Sequence, residues 1–146
     1  MSNRKISERP WLLLPIELKV REFEAKVMMS CVAAEKGFGV LLGRNAFNTK
    51  GKYPKGVYLD KCISPNKDDN LNIQTRLLGN KLASLDEEGL VYQSEAEYLK
   101  TRTSPSTIEM SSAIFTWGQE QNRLIDGAYQ VGHKLEITGS PRVDLW

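Results

Sequence analysis

Short apolar runs, each about one strand long, alternate with stretches of helical character along nearly the whole chain, and that alternation leaves few folds open. Trp11 to Leu14 reads as a buried strand. Lys19 to Lys36 reads as a helix whose apolar stripe is Val20, Phe23, Val27, Cys31 and Ala34, with Gly37 as its C-cap. Phe38 to Leu42 and Gly56 to Asp60 supply two more strands, separated by Gly43 to Lys55, which reads as a short helix or an extended loop. Ser64 and Pro65 open a further helix that carries Leu71, Leu77 and Leu78 and closes at Gly79. Lys81 to Leu85 is the fourth strand, followed by helical stretches at Glu95 to Arg102 and Pro105 to Ser111. Ile114 to Trp117, a helix from Glu120 to Tyr129, and Lys134 to Thr138 complete the pattern.

Such a sequence implies a doubly wound, mostly parallel sheet of about six strands with helices on both faces, an α/β fold. At 146 residues the chain accommodates one domain, spanning residues 10–138 after a loose polar leader, Met1 to Arg9. Lys and Arg number 20 against 18 Asp and Glu, and no basic stripe is present, so nucleic acid is not an expected partner. The apolar run near the start is too short for a membrane span or a signal-peptide core, which points to the cytoplasm. Cys31 and Cys62 fit neither a disulfide framework nor a metal spacing; both are read as reduced, one of them as a small buried thiol on a helix face.

In an open parallel sheet, ligands bind beyond the carboxyl ends of the strands. The unusual polar residues collect there: Glu17 and Lys19 after the first strand, Arg44 after the second, Asp60, Lys61 and Ser64 to Lys67 after the third. Asp86, Glu87 and Glu88 follow the fourth, and Gly118 the fifth. Three adjacent acids at a strand end repel one another, which a ligand or cation would relieve; a solvated acidic loop accounts for them equally. Glu17 near a helix start is explained as well by the helix dipole, and Arg21, Glu22 and Glu24 by the wet face of a helix. Ser64 to Lys67 is chiefly a helix-start signature; Lys67 in that first turn opposes the dipole, which an anionic ligand would relieve.

No glycine-rich dinucleotide fingerprint, phosphate-binding loop, zinc-protease motif or nucleophile elbow is present, and neither a metal nor a cofactor is expected. The single histidine, His133, precedes the last strand at the end opposite the rim, so a general base would be a carboxylate.

Read together, LLLPIELKVREFEAK, GVYLDKCISPNK, LDEEGLVY, FTWGQEQ and ITGSPRVDLW resemble, in the same order, the amino-terminal half of the bacterial surface carbohydrate (surface polysaccharide) biosynthesis family. Members look like GT-B glycosyltransferases, in which two Rossmann-like domains face each other across a cleft. The resemblance implies a Rossmann-like amino-terminal domain that offers the acceptor side and is inactive alone. Residues 139–146, opening with Ser140 as N-cap and Pro141 as first helical residue, are similar to the start of the hinge into a second domain.

The expected site combines Glu17, Asp86 and Glu87 as candidate bases with Lys19, Arg44, Ser64, Asn66, Lys67, Glu88 and Gly118 toward substrate. The implied partners are a sugar or lipid-linked acceptor, and a separately encoded second domain or a second copy of the chain. A nucleotide-sugar epimerase half and a non-catalytic sugar-, phosphate- or partner-binding module remain the alternatives.

Overall fold

A computed structural model describes residues 9–44, 53–65, 75–76 and 78–145. The first strand, β1 (Trp11–Ile16), leads into α1 (Lys19–Glu35) and β2 (Gly39–Arg44). Then come β3 (Val57–Asp60), β4 (Lys81–Leu85), α2 (Glu95–Arg102), α3 (Pro105–Met110), β5 (Ala113–Thr116), α4 (Gln119–Tyr129) and β6 (Leu135–Ile137). The six strands form one sheet in the order β2-β1-β3-β4-β5-β6, and every pairing is parallel. The fold is therefore a Rossmann-like, doubly wound α/β sheet.

The handedness of parallel crossovers sorts the helices. The step from β1 to β2 runs one way across the sheet and the later steps run the other way, so α1 and α4 cover opposite faces. The pleat sorts the side chains to match. Leu14, Leu59, Ala83 and Leu85 pack with Met29 on the face covered by α1. Ile114 and Leu135 pack with Leu124 and Ile125 on the other, joined by Tyr98 and Ile108.

Local sequence accounts for the element ends. Ser94 and Ser104 cap α2 and α3 by accepting from the amides of Glu97 and Thr107. Gly37, at φ +90°, takes the left-handed conformation that ends α1, as its position after the helical run anticipates. Gly39 lies against the Trp11 indole, where a Cβ would stand 2.7 Å from the ring.

The helical stripe of α1 needs correction. Val20 is 94% exposed, and Phe23, Cys31 and Ala34 also face outward. The side that meets the sheet carries Glu22, Ala25 and Lys26 instead. Cys31 is thus an exposed thiol, and Cys62 is the buried one. Most of the leader, the segment 45–52, and most of the helix expected after Ser64 lie outside the described residues. After β6, residues 141–145 form a turn closed by the amides of Val143 and Asp144 donating to the Ser140 carbonyl. No helix among the described residues is long and apolar enough to cross a membrane.

Candidate functional site

The chain leaves β1 toward β2 and then lays β3 on the other side of β1, so the strand order reverses between β1 and β3. In sheets of this kind that reversal opens a crevice at the carboxyl ends of the two strands. Here the crevice holds a network of charges. The Glu22 carboxylate reaches back from α1 and accepts from the amides of Glu17 and Leu18, both at 3.0 Å, so Glu22 rather than Glu17 caps this helix entry. The Lys26 ammonium, one turn on, donates to Glu22 Oε2 at 3.0 Å and to the Pro15 carbonyl, and lies 3.4 Å from Glu87 Oε1. Lys61, at the end of β3, pairs with Glu17 and lies 3.6 Å from both Glu22 and Glu88.

These surroundings separate the carboxylates chemically. Burial resists ionisation of Glu22, yet the two amides and Lys26 outweigh it and hold the carboxyl at about 2. Burial dominates at Glu87: its carboxyl titrates above the usual range, because Lys26 only partly offsets desolvation and the nearby Glu22 charge. At Lys61, burial opposes the charge, and Glu17, Glu22 and Glu88 together raise its proton affinity.

Asp86 is anchored differently. Arg102 holds its Oδ1, the Tyr98 hydroxyl donates to its Oδ2 at 3.2 Å, and the Gln121 amide donates to the Tyr98 oxygen at 2.6 Å. Gln121 Oε1 in turn accepts from the Trp117 amide at 2.8 Å, so the ends of β4 and β5 are tied together. Burial and the neighbouring Asp86 charge push the Tyr98 phenol above its ordinary range, which keeps the proton on Tyr98 and directs it at Asp86. Gly89 closes the turn so tightly that a Cβ there would stand 1.9 Å from Asp86 Oδ2.

The three consecutive acids therefore do not stand uncompensated. Asp86 has Arg102, Glu87 has Lys26, and Glu88 lies 3.0 Å from Arg21, 3.6 Å from Lys61 and 3.7 Å from Arg102. The expected repulsion is relieved inside the protein by cations from α1, α2 and the end of β3. Nor are Arg21 and Glu22 merely part of a solvated helix face, since Glu22 is 3% exposed and Arg21 lines a cleft.

That cleft, of about 460 Å³, lies beside the rim and is walled by Glu87, Glu88, Arg21, Leu90, Arg142 and Val143. It brings Glu87 and Glu88 together at one opening. The other expected residues divide. Glu17 is 51% exposed and engaged with Lys61. Lys19 sits over the Phe23 ring, 5.4 Å from its centre. Arg44 ends the edge strand β2 and is exposed. Ser64 is buried beside Cys62, with Sγ and Oγ 3.5 Å apart. Gly118 is the N-cap of α4 in extended backbone, with open space where a side chain would be, so nothing steric demands glycine there. Asn66 and Lys67 lie outside the described residues.

Lys26, Tyr98, Arg102 and Gln121 escaped sequence reasoning, and Arg142 was read only as part of the hinge. The spacing of Glu22 and Lys26, one helical turn apart, was the available signal for an internal pair. The other residues meet only through tertiary packing. Among the described residues, no group of three or more His, Cys, Asp or Glu side chains could hold a metal ion. Comparison with family models, with curated proteins and with solved structures finds no match to this chain in any of the three.

Proposed function

We propose that the chain supplies the acceptor-side domain of a glycosyltransferase-like enzyme of bacterial surface polysaccharide assembly. The observation that carries this reading is Glu87: a carboxylate of raised proton affinity at the carboxyl end of a central strand, on the wall of a cleft. Asp86 is held on both oxygens by Arg102 and Tyr98, and Glu17 is engaged by Lys61; Glu87 meets Lys26 at 3.4 Å through Oε1 and still keeps a raised proton affinity, which makes it the base of choice. In an inverting transfer, an acceptor hydroxyl attacks the anomeric carbon of a nucleotide sugar as the carbon–oxygen bond to the diphosphate breaks. The electron pair leaves with the nucleotide, and Glu87 takes the hydroxyl proton. Asp86 would be a positioning residue, fixing the turn that presents Glu87.

Thermal-shift titrations with nucleotide sugars and with sugar phosphates test the domain assignment. Stabilisation by sugar phosphates without nucleotides is expected, and tight nucleotide binding by this chain would overturn the acceptor-side assignment. With the chain joined to a donor-binding second domain that restores transfer, Glu87→Gln should abolish sugar transfer; full transfer by that variant removes Glu87 as base.

A second reading, a non-catalytic module that binds a sugar or phosphate, is favoured by the internal pairing of Glu22, Glu87 and Glu88 with lysine and arginine. Structural ion-pair networks perturb proton affinities as catalytic ones do.

A further inference from the structure

We propose that Glu22 is a positioning residue for Glu87, acting through the Lys26 ammonium that the two carboxylates share. Its role rests on the reading of Glu87 as a base, whose strength it sets. Lys26 Nζ stands 3.0 Å from Glu22 Oε2 and 3.4 Å from Glu87 Oε1, with the lysine 1% exposed. Glu22 is held in the nearer place, because its two oxygens accept from the amides of Glu17 and Leu18 at 3.0 Å each. Lys26 is fixed in turn by the Pro15 carbonyl, to which it donates. At Glu87 the backbone is tied as well, its amide donating to the Lys61 carbonyl at 3.0 Å. Glu87 therefore receives the longer of two contacts with one cation, and the folded geometry holds it there.

Burial is the first cause of the raised proton affinity of Glu87, and Glu22 adds to it twice with the same sign. Its charge repels a charge on Glu87, and it draws off the attraction of Lys26. A base that works near neutral pH needs this adjustment, since a carboxylate at its ordinary value accepts protons weakly there. Other charges face Glu87 from each neighbouring element. Lys61, at the end of β3, attracts Glu87 and pairs with Glu17. In the turn of Glu87 itself, Asp86 is met by Arg102 of α2, and Glu88 by Arg21 of α1. Arg142, after β6, lines the same cleft. Among the described residues, Lys26 alone forms ion pairs with both Glu22 and Glu87.

Carboxyl-carbon NMR of the chain, with the Glu87 resonance assigned by its loss in Glu87→Gln, reads the Glu87 titration midpoint directly. Glu22→Gln should lower that midpoint by about one pH unit, roughly a tenfold loss of proton affinity, because the like charge goes and Lys26 is left to Glu87. Glu22→Asp keeps the charge and shortens the reach to Lys26. It should fall between the native chain and Glu22→Gln, and it carries the test alone if the amide variant does not fold. Glu88→Gln removes the same charge one residue away, outside the Lys26 pairs, and should move the midpoint less than about half as far. In the chain joined to a donor-binding second domain, Glu22→Gln should carry the acid limb of the transfer rate to lower pH by the same amount. A Glu87 midpoint unmoved in the folded variants of Glu22, or moved equally by Glu88→Gln, overturns the proposal. A midpoint that follows Glu22 while Glu87→Gln still transfers sugar leaves the coupling in place and removes Glu87 as base. Loss of transfer in Glu87→Gln with a midpoint indifferent to Glu22 removes the positioning role alone.

Discussion

Lys26 Nζ lies 3.4 Å from Glu87 Oε1, and this contact ties the middle of α1 to the turn after β4, with the ammonium only 1% exposed. The same nitrogen neutralises Glu22 at 3.0 Å. Lys26→Met strips both carboxylates of a counter-ion, and breaking a buried pair in this way costs about 3–5 kcal/mol. Urea denaturation checks it, and adding Glu87→Gln to that variant should return part of the loss.

The pH dependence has two arms of opposite sign. Glu22 titrates at about 2 rather than 4.5, so its ionised form stabilises the fold above pH 4.5, and that contribution is lost as pH falls toward 2. A shift of that size corresponds to roughly 3 kcal/mol. Glu87 titrates above its ordinary value, so its contribution is present below that value and is lost as pH rises through the elevated one. Denaturation midpoints at pH 6 and pH 3 should fall further for the native chain than for Glu22→Gln. An equal fall in both would contradict this role for Glu22.

Gly89 is required by close approach. Its missing side chain leaves room for Asp86 Oδ2, and an added Cβ would also stand 2.9 Å from the Tyr98 ring. Gly89→Ala should destabilise by about 1–3 kcal/mol, as overpacking does. Tyr98→Phe should cost about 1–3 kcal/mol, because the buried Gln121 amide loses its acceptor. The two effects should not add, since both loosen the hold on Asp86.

The exposed stripe of α1 gives a test with a counterintuitive sign. Val20→Asp should leave stability within about 0.5 kcal/mol of the native chain, as surface changes do. Met29→Asp, beneath the helix and packed on the Leu14 and Leu59 cluster, should cost at least about 2 kcal/mol. Thermal melts of the two variants make the comparison.

Cys31 is exposed and Cys62 buried, so a thiol reagent such as Ellman's should titrate one group in the folded protein and the second only on unfolding. Cys31→Ser should remove the fast phase. Two thiols reacting at one rate in native conditions would contradict the packing of Cys62 beside Ser64.

Much of the fold was legible locally. Lys81–Leu85 and Glu95–Arg102 have the same limits in sequence and structure, because caps and apolar runs act over a few residues. The acids after β4 were legible as a strand-end cluster for the same reason. The face of α1 was not, since the apolar period runs through Val20, Phe23, Val27 and Cys31 while the sheet receives Glu22 and Lys26. Hydrophobic periodicity treats charged side chains as outward-facing. Two opposite charges one turn apart escape that rule when each satisfies the other and nearby backbone groups complete their hydrogen bonds.

By itself, then, the sequence determined the alternation of strands and helices, and with it a parallel, doubly wound sheet, because element type and crossover handedness follow from local periodicity and chirality. Only the tertiary structure decided the charge partners. Lys26 reaching Glu87, and Arg102 and Tyr98 gripping Asp86, are contacts between segments far apart in the chain. Electrostatic energy depends on distance and burial, and those are properties of the folded chain rather than of residue order.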